Sequence, residues 1–331
     1  MNTNTPFGSA VGPFVLDYLA HMRALGRGYD REERVLRHLD AFLARTGADL
    51  SCASFSAWSL AQGHLSSGVR RNRMRIVRNM CLYRRRAEPG CFIPDITEFP
   101  ANHQCLRPHI FTETEIVALL QAADNLVPRW NSPLCREVYR LAIVLLYTTG
   151  LRRGELVRLA IDDYEPYEHT LMIRESKFHK SRLLPLSADR FRELDTYLET
   201  RRTKGLPVFS DSSLLWNLKR GGNGYRGSTL GIGLRNLFRN ARIRTVAGRL
   251  PRVHDLRHTF AVHAILRWYR SGQDVQAKLP FLSAYMGHVS VLSTQHYLHF
   301  IDSIAACASK RFAEHCSRLV VVSPQDKGGA R

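Results

Sequence analysis

Apolar residues recur at helical spacing from near the start of the chain. Phe14, Val15, Tyr18, Leu19 and Met22 form one stripe, and Val35, Leu36, Leu39, Phe42 and Leu43 form a second. Residues 13–87 therefore read as all helical. The last helix of this stretch, Val69 to Arg86, is basic and amphipathic. Its expected apolar stripe is Val69, Met74, Val77, Cys81 and Leu82, while Arg70, Arg71, Arg73, Arg75, Arg78, Arg84, Arg85 and Arg86 cover much of the rest. Such a face fits a DNA major groove or tracks a phosphate backbone. A solvated face is the plainer alternative. The candidate DNA-binding residues here are Arg70, Arg71, Arg73, Arg75 and Arg78.

The periodicity stops over residues 88–110, where Pro89, Pro94, Pro100 and Pro108 punctuate a stretch that reads as a linker. It restarts at Phe111. Thr112 and Glu115 have the spacing of a capping box, with Phe111 and Ile116 placed as its hydrophobic staple. A second domain is expected from 111 to 331. Within it, Leu141 to Tyr147 is an apolar run inside a longer helix. Strands are expected near 170–174 and 182–186, with Lys177 in the turn between them, and helices over 188–201, 230–241 and 255–269. The expected fold class is mainly α with a small antiparallel β-sheet (α+β), in two domains.

Charge adds a partner. The chain carries 48 Lys and Arg against 29 Asp and Glu, a net +19, which suits a polyanion whose counterions are released on binding. Arg outnumbers Lys 41 to 7. Genomic base composition explains that choice of base, not the excess of base over acid. No stretch is apolar for the roughly 18 residues a membrane span needs, so no membrane partner is expected. The first twelve residues lack the basic-then-apolar order of a secretory signal. The seven cysteines are scattered, with no C-x-x-C pair. They read as reduced, mostly buried thiols, which fits a cytoplasmic protein.

Four separated segments carry candidate chemistry: Thr149–Leu156, Ser176–Arg182, His254–Phe260, and Met286–His288 with Tyr297 nine residues after the histidine. Each is weak alone. An arginine such as Arg152 is ordinarily a surface residue, and a tyrosine near a C-terminal helix is ordinarily core. Taken together, in this order and spacing, they resemble the tyrosine recombinase (phage integrase) family. The resemblance covers roughly residues 110–300. Before that it extends only to type, a helical core-binding domain joined by a linker.

The resemblance implies an enzyme that cuts and rejoins DNA through a 3′-phosphotyrosyl bond, with no metal, no cofactor and no ATP. Arg152 and Arg257 would clamp the non-bridging phosphate oxygens, where charge builds in the transition state. Tyr297 would be the nucleophile and His254 the general base candidate. Lys177 would be the general acid for the departing 5′ oxygen, and His288 would hydrogen-bond the phosphate. Glu155, one turn from Arg152, would orient it. His258 and His179 are expected in structural or DNA-backbone roles, and His296 and His299 are left open. The implied partners are double-stranded DNA recombination sites and, in the synapse, a homotetramer or a hetero-tetramer with sister recombinases. A tail helix from about 301 either docks on a neighbouring protomer or covers its own core. The stretch between the His254 helix and His288 is longer than in simpler family members. This segment, 267–281, points to integration or transposition of a mobile element. The alternatives are a type IB-like topoisomerase and a catalytically inactive DNA-binding relative. A metal-dependent nuclease lacks ligands.

Overall fold

The computed structural model describes residues 7–101, 107–174, 181–218, 221–288 and 290–299. Lys177, His179 and the expected tail helix lie outside these residues. The chain divides into two compact units, Met1–Leu106 and Arg107–Arg331.

Among the described residues the first unit holds four α-helices: α1 (Gly12–Ala24), α2 (Asp30–Thr46), α3 (Cys52–Leu60) and α4 (Ser67–Arg84). The two expected stripes are its core: Val15, Tyr18 and Leu19 from α1 meet Val35, Leu36, Leu39 and Leu43 from α2. Acidic Asp30, Glu32 and Glu33 sit in the first turn of α2, where they complement the positive end of the helix dipole. Helix α4 differs from expectation. It buries Met74, Ile76, Val77, Met80 and Cys81, whereas Val69 and Leu82 are exposed. Arg84, expected on the basic face, is buried and paired with Glu88 at 2.7 Å and Asp49 at 3.4 Å. Each residue turns the helix by about 100°, so Leu82 falls outside the arc that Met74, Ile76, Val77, Met80 and Cys81 share, and Val69 lies in the first turn, ahead of the first buried residue. Part of the proline-rich stretch also packs on this unit. Phe99 is buried in its core, with Phe92 and Ile93 against it.

The second unit is built around α6 (Cys135–Thr149), which buries Val138, Leu141, Ala142, Ile143, Leu145, Leu146 and Thr149. Around α6 pack α5 (Glu113–Asp124), α8 (Ala188–Thr203) and α10 (Val253–Arg270). Helix α5 begins with the expected capping box. The Glu115 N–H donates to the Thr112 hydroxyl at 3.2 Å, and the Thr112 N–H donates to the Glu115 carboxylate at 2.9 Å. Short α7 (Arg153–Leu156) precedes an antiparallel sheet of β1 (Tyr164–Glu165), β2 (Thr170–Ile173) and β3 (Arg182–Pro185), in that order. Leu171 pairs with Leu184 in the ladder, and both point into the core. After α9 (Gly227–Asn240) and α10 come α11 (Val275–Met286) and α12 (Leu292–His299). The long segment 267–281 is thus the end of α10, a turn, and the start of α11. Across that turn Lys278 of α11 lies 5.7 Å over the Trp268 ring of α10. The thiols depart from expectation: of four described cysteines only Cys81 is buried, Cys91 and Cys135 are half-buried, and Cys52 is exposed.

Candidate active site

Two helix ends organise the site. Helix α6 stops at Gly150 (φ +64°) and α11 stops at Gly287 (φ +68°). Both glycines hold the left-handed conformation that closes a helix, and neither has room for a side chain. A Cβ on Gly150 would lie 2.5 Å from the Phe260 ring, and one on Gly287 would lie 2.6 Å from the Arg182 guanidinium.

The last carbonyls of a helix have no partner within it, and they sit at the negative end of its dipole. Here arginines take them. Tyr285 O accepts from Arg182 Nε at 2.9 Å, Met286 O from Arg257 Nη2 at 2.8 Å, and Gly287 O from Arg152 Nη2 at 2.7 Å. Three successive carbonyls thus fix three guanidinium groups side by side. Arg257 also donates to Gly150 O, so it ties the end of α6 to the end of α11.

Glu155 is the single carboxylate among them and is buried. Its Oε2 accepts the Arg152 backbone N–H at 2.9 Å, its Oε1 accepts Arg152 Nη1 at 2.6 Å, and Arg182 adds bonds at 3.2 and 3.0 Å. Burial alone would raise its pKa. Hydrogen bonds from Arg182 and Arg152 outweigh burial and hold the carboxyl at about 2. Arg257 touches no carboxylate among the described residues. Burial, then repulsion from Arg152, lowers its pKa to about 10, so it remains a cation at neutral pH. Three arginines against one carboxylate leave a positive site. Arg152 and Arg257 each use two of five guanidinium N–H donors within the described residues, leaving donors for an oxyanion.

The histidines and the tyrosine close the site. His254 and His258 lie one turn apart on α10, their rings edge-on at 4.7 Å. Tyr297 on α12 is buried, and its hydroxyl lies 3.1 Å from His258 Nδ1. His288, just after Gly287, shares a hydrogen bond of 2.8 Å between Nδ1 and the Thr294 hydroxyl, and its ring stacks on Tyr297 at 6.4 Å. Burial raises the Tyr297 pKa above its usual value, with Arg257 and Arg152 pulling the other way. Loss of hydration, then nearby positive charge from Arg257 and Arg152, lowers His288 to about 4. Loss of hydration, then Arg257 and Arg252, also lowers His254. That residue is exposed, so it loses its hydration only in part.

Of the six expected catalytic residues, five come together: Arg152, His254, Arg257, His288 and Tyr297. Lys177 lies between β2 and β3 in sequence, outside the described residues. No hydrogen bond joins His254 to Tyr297 among the described residues. His258 holds that position. Arg182 and Thr294 also belong to the site without having been singled out. Arg182 ends the segment Ser176–Arg182, but nothing in its local pattern marks it. In the first unit, Arg71 donates to the carbonyls of Phe99 and Pro100 at 3.4 and 2.9 Å, and Arg73 donates to Gln62 at 2.7 Å. Arg75 is exposed, and Arg70 and Arg78 are half-buried. No group of three or more His, Cys, Asp or Glu among the described residues is placed to hold a metal, and no described helix is long and apolar enough to cross a membrane.

A rack of guanidinium groups beside a tyrosine hydroxyl suits transfer of a phosphoryl ester onto protein. The model of the phage integrase family matches residues 109–303, spanning the whole of this arrangement. A Sinorhizobium fredii protein named as an integrase/recombinase, y4rB, is 32% identical over 293 residues, covering 86% of this chain and 91% of that protein. Tyrosine recombinase XerD of Mycobacterium leprae is 31% identical over 57% of this chain and 56% of its own length. Among solved structures, the Tn1549 transposon integrase in complex with transposon right-end DNA shares the fold at TM-score 0.65. It is 18% identical and covers 91% of this chain and 98% of that one. The chain belongs to the phage integrase family of site-specific tyrosine recombinases, enzymes that cleave and rejoin DNA.

Proposed function

We propose that this recombinase cuts DNA by attack of Tyr297 on the scissile phosphate, giving a 3′-phosphotyrosyl bond that a 5′ hydroxyl later reverses. The observation that carries this is the seating of Arg152 and Arg257 on helix-end carbonyls in the same site as the Tyr297 hydroxyl. Fixed donors cost no reorganisation as charge builds on the phosphorane oxygens. Glu155 and Arg182 hold the rack in place. His288 keeps Nε2 for a phosphate oxygen while Thr294 engages Nδ1. Lys177, which follows β2 in sequence, protonates the departing 5′ oxygen, and His254 completes the set from α10. The phosphotyrosyl ester conserves the energy of the broken bond, so rejoining needs no ATP.

The substrate is double-stranded DNA at recombination sites, paired by a tetramer of this chain or of this chain with sister recombinases. The process is integration or transposition of a mobile element. The basic face of α4, with Arg70, Arg75 and Arg78, contributes to DNA binding, and residues 1–87 and 111–331 act as the core-binding and catalytic domains. To test this, a supercoiled plasmid carrying this gene with its flanking DNA is incubated with the protein in EDTA and quenched with detergent. Protein-linked nicked DNA is expected from the wild type. Arg257→Ala should bind the same DNA and cleave about a hundredfold or more slower. Cleavage that requires added divalent metal, or an unimpaired Arg257→Ala, would overturn the reading.

A further inference from the structure

Resting on Tyr297 as the nucleophile, we propose that His258 takes the Tyr297 proton as the phenolic oxygen bonds to phosphorus and returns it when strands are rejoined. His258 Nδ1 is 3.1 Å from the hydroxyl, and no other described side chain hydrogen-bonds that oxygen. The ring is held by its position on α10, between buried Arg257 and Thr259, and meets the Tyr297 ring edge-on at 5.5 Å. His254, one turn earlier, meets the His258 ring, and among the described residues no hydrogen bond or ring contact joins it to Tyr297.

The charge environment keeps His258 an acceptor. Burial first, then His254, Arg252 and Arg257, lowers its pKa to about 4, with Asp255 opposing. These are the charged and titratable groups facing it from α10 and its cap. From α12 it faces Tyr297, behind which His288 stacks. At neutral pH the imidazole is therefore uncharged. For Nδ1 to accept, its single proton sits on Nε2. A phenol of raised pKa does not give its proton to such a base before attack. Transfer accompanies O–P bond formation, because the oxygen loses its basicity as it becomes an ester. A bound phosphate also brings negative charge that favours the imidazolium.

The step balances. A lone pair on the Tyr297 oxygen forms the bond to phosphorus, and the O–H electrons stay on that oxygen. The proton passes to Nδ1, giving an imidazolium. The P–O5′ electrons leave with the 5′ oxygen, which takes its proton from Lys177 in the scheme above. Rejoining runs each transfer backwards.

The test compares His258→Asn and His258→Ala on the plasmid carrying this gene with its flanking DNA. Asparagine can place an oxygen near the Nδ1 position and keep the hydrogen bond, but it cannot hold a second proton. Both variants should bind DNA and melt like the wild type, yet form protein-linked DNA about a hundredfold or more slower. The wild-type rate should be flat from pH 6 to 8, while the His258→Asn rate climbs with pH as hydroxide replaces the lost base. Wild-type speed in His258→Asn beside a slow His258→Ala would show that His258 only positions Tyr297, and would overturn the proposal. If the wild type itself forms no adduct, the nucleophile assignment fails and this proposal fails with it.

Discussion

Replacing Glu155 with glutamine removes one charge and almost no volume, from a side chain only 2% exposed. Arg152 and Arg182 then lose their shared counter-charge at the centre of the rack. A carboxyl held at about 2 instead of 4.5 contributes about 3 kcal/mol at neutral pH. Breaking a buried ion pair from one side typically costs about 3–5 kcal/mol, which agrees. For a unit of this size the melting transition should fall by about 6–12 °C. The pH dependence has a definite sign. The folded pKa is depressed, so the stabilisation is full above 4.5 and is lost as pH falls towards 2. The gap between wild type and Glu155→Gln should therefore shrink to about half by pH 3. Calorimetry of both proteins at pH 7, 5 and 3 measures it. Equal stability at pH 7, or a gap undiminished at pH 3, would refute the argument.

Other substitutions probe the same framework. Gly287→Ala forces a side chain into a left-handed position against Arg182. It should cost about 1–2 kcal/mol in urea unfolding and slow cleavage while DNA binding persists. Unchanged cleavage would show that the rack tolerates displacement of α11's end. In α4, Arg75→Ala should lower the slope of log affinity against log salt by about one, provided Arg75 meets a phosphate. Arg71→Ala should instead lower thermal stability, because Arg71 is tied to the carbonyls of Phe99 and Pro100. The reverse pattern would mean that the DNA-facing side of α4 has been misassigned.

Local rules were legible in the sequence. The capping box at Thr112, the hairpin strands and the two first-unit stripes all rest on neighbours within a few residues. The family resemblance then drew Arg152, His254, Arg257, His288 and Tyr297 together, and the structure places them in one site. What stayed hidden depends on contacts distant in sequence. His254 and His258 share one face of α10, and only the packing of α12 decides which meets Tyr297. Arg182 acts on Glu155, 27 residues away, and on Tyr285, 103 residues away. Its own strand gives no sign of either. Arg84 looked like one more surface cation in a basic run, but Asp49 and Glu88 allow its burial.

The covalent bond at Tyr297 can be read directly by mass. Plasmid carrying this gene and its flanking DNA is cleaved, the protein-linked DNA is digested with nuclease and protease, and the peptides are weighed. The expected product is a nucleotide joined through its 3′-phosphate to the peptide containing Tyr297, at that side chain. Tyr297→Phe, which keeps the ring and its packing, should bind the DNA and yield no adduct. An adduct on any other residue, or cleavage retained in Tyr297→Phe, would contradict it.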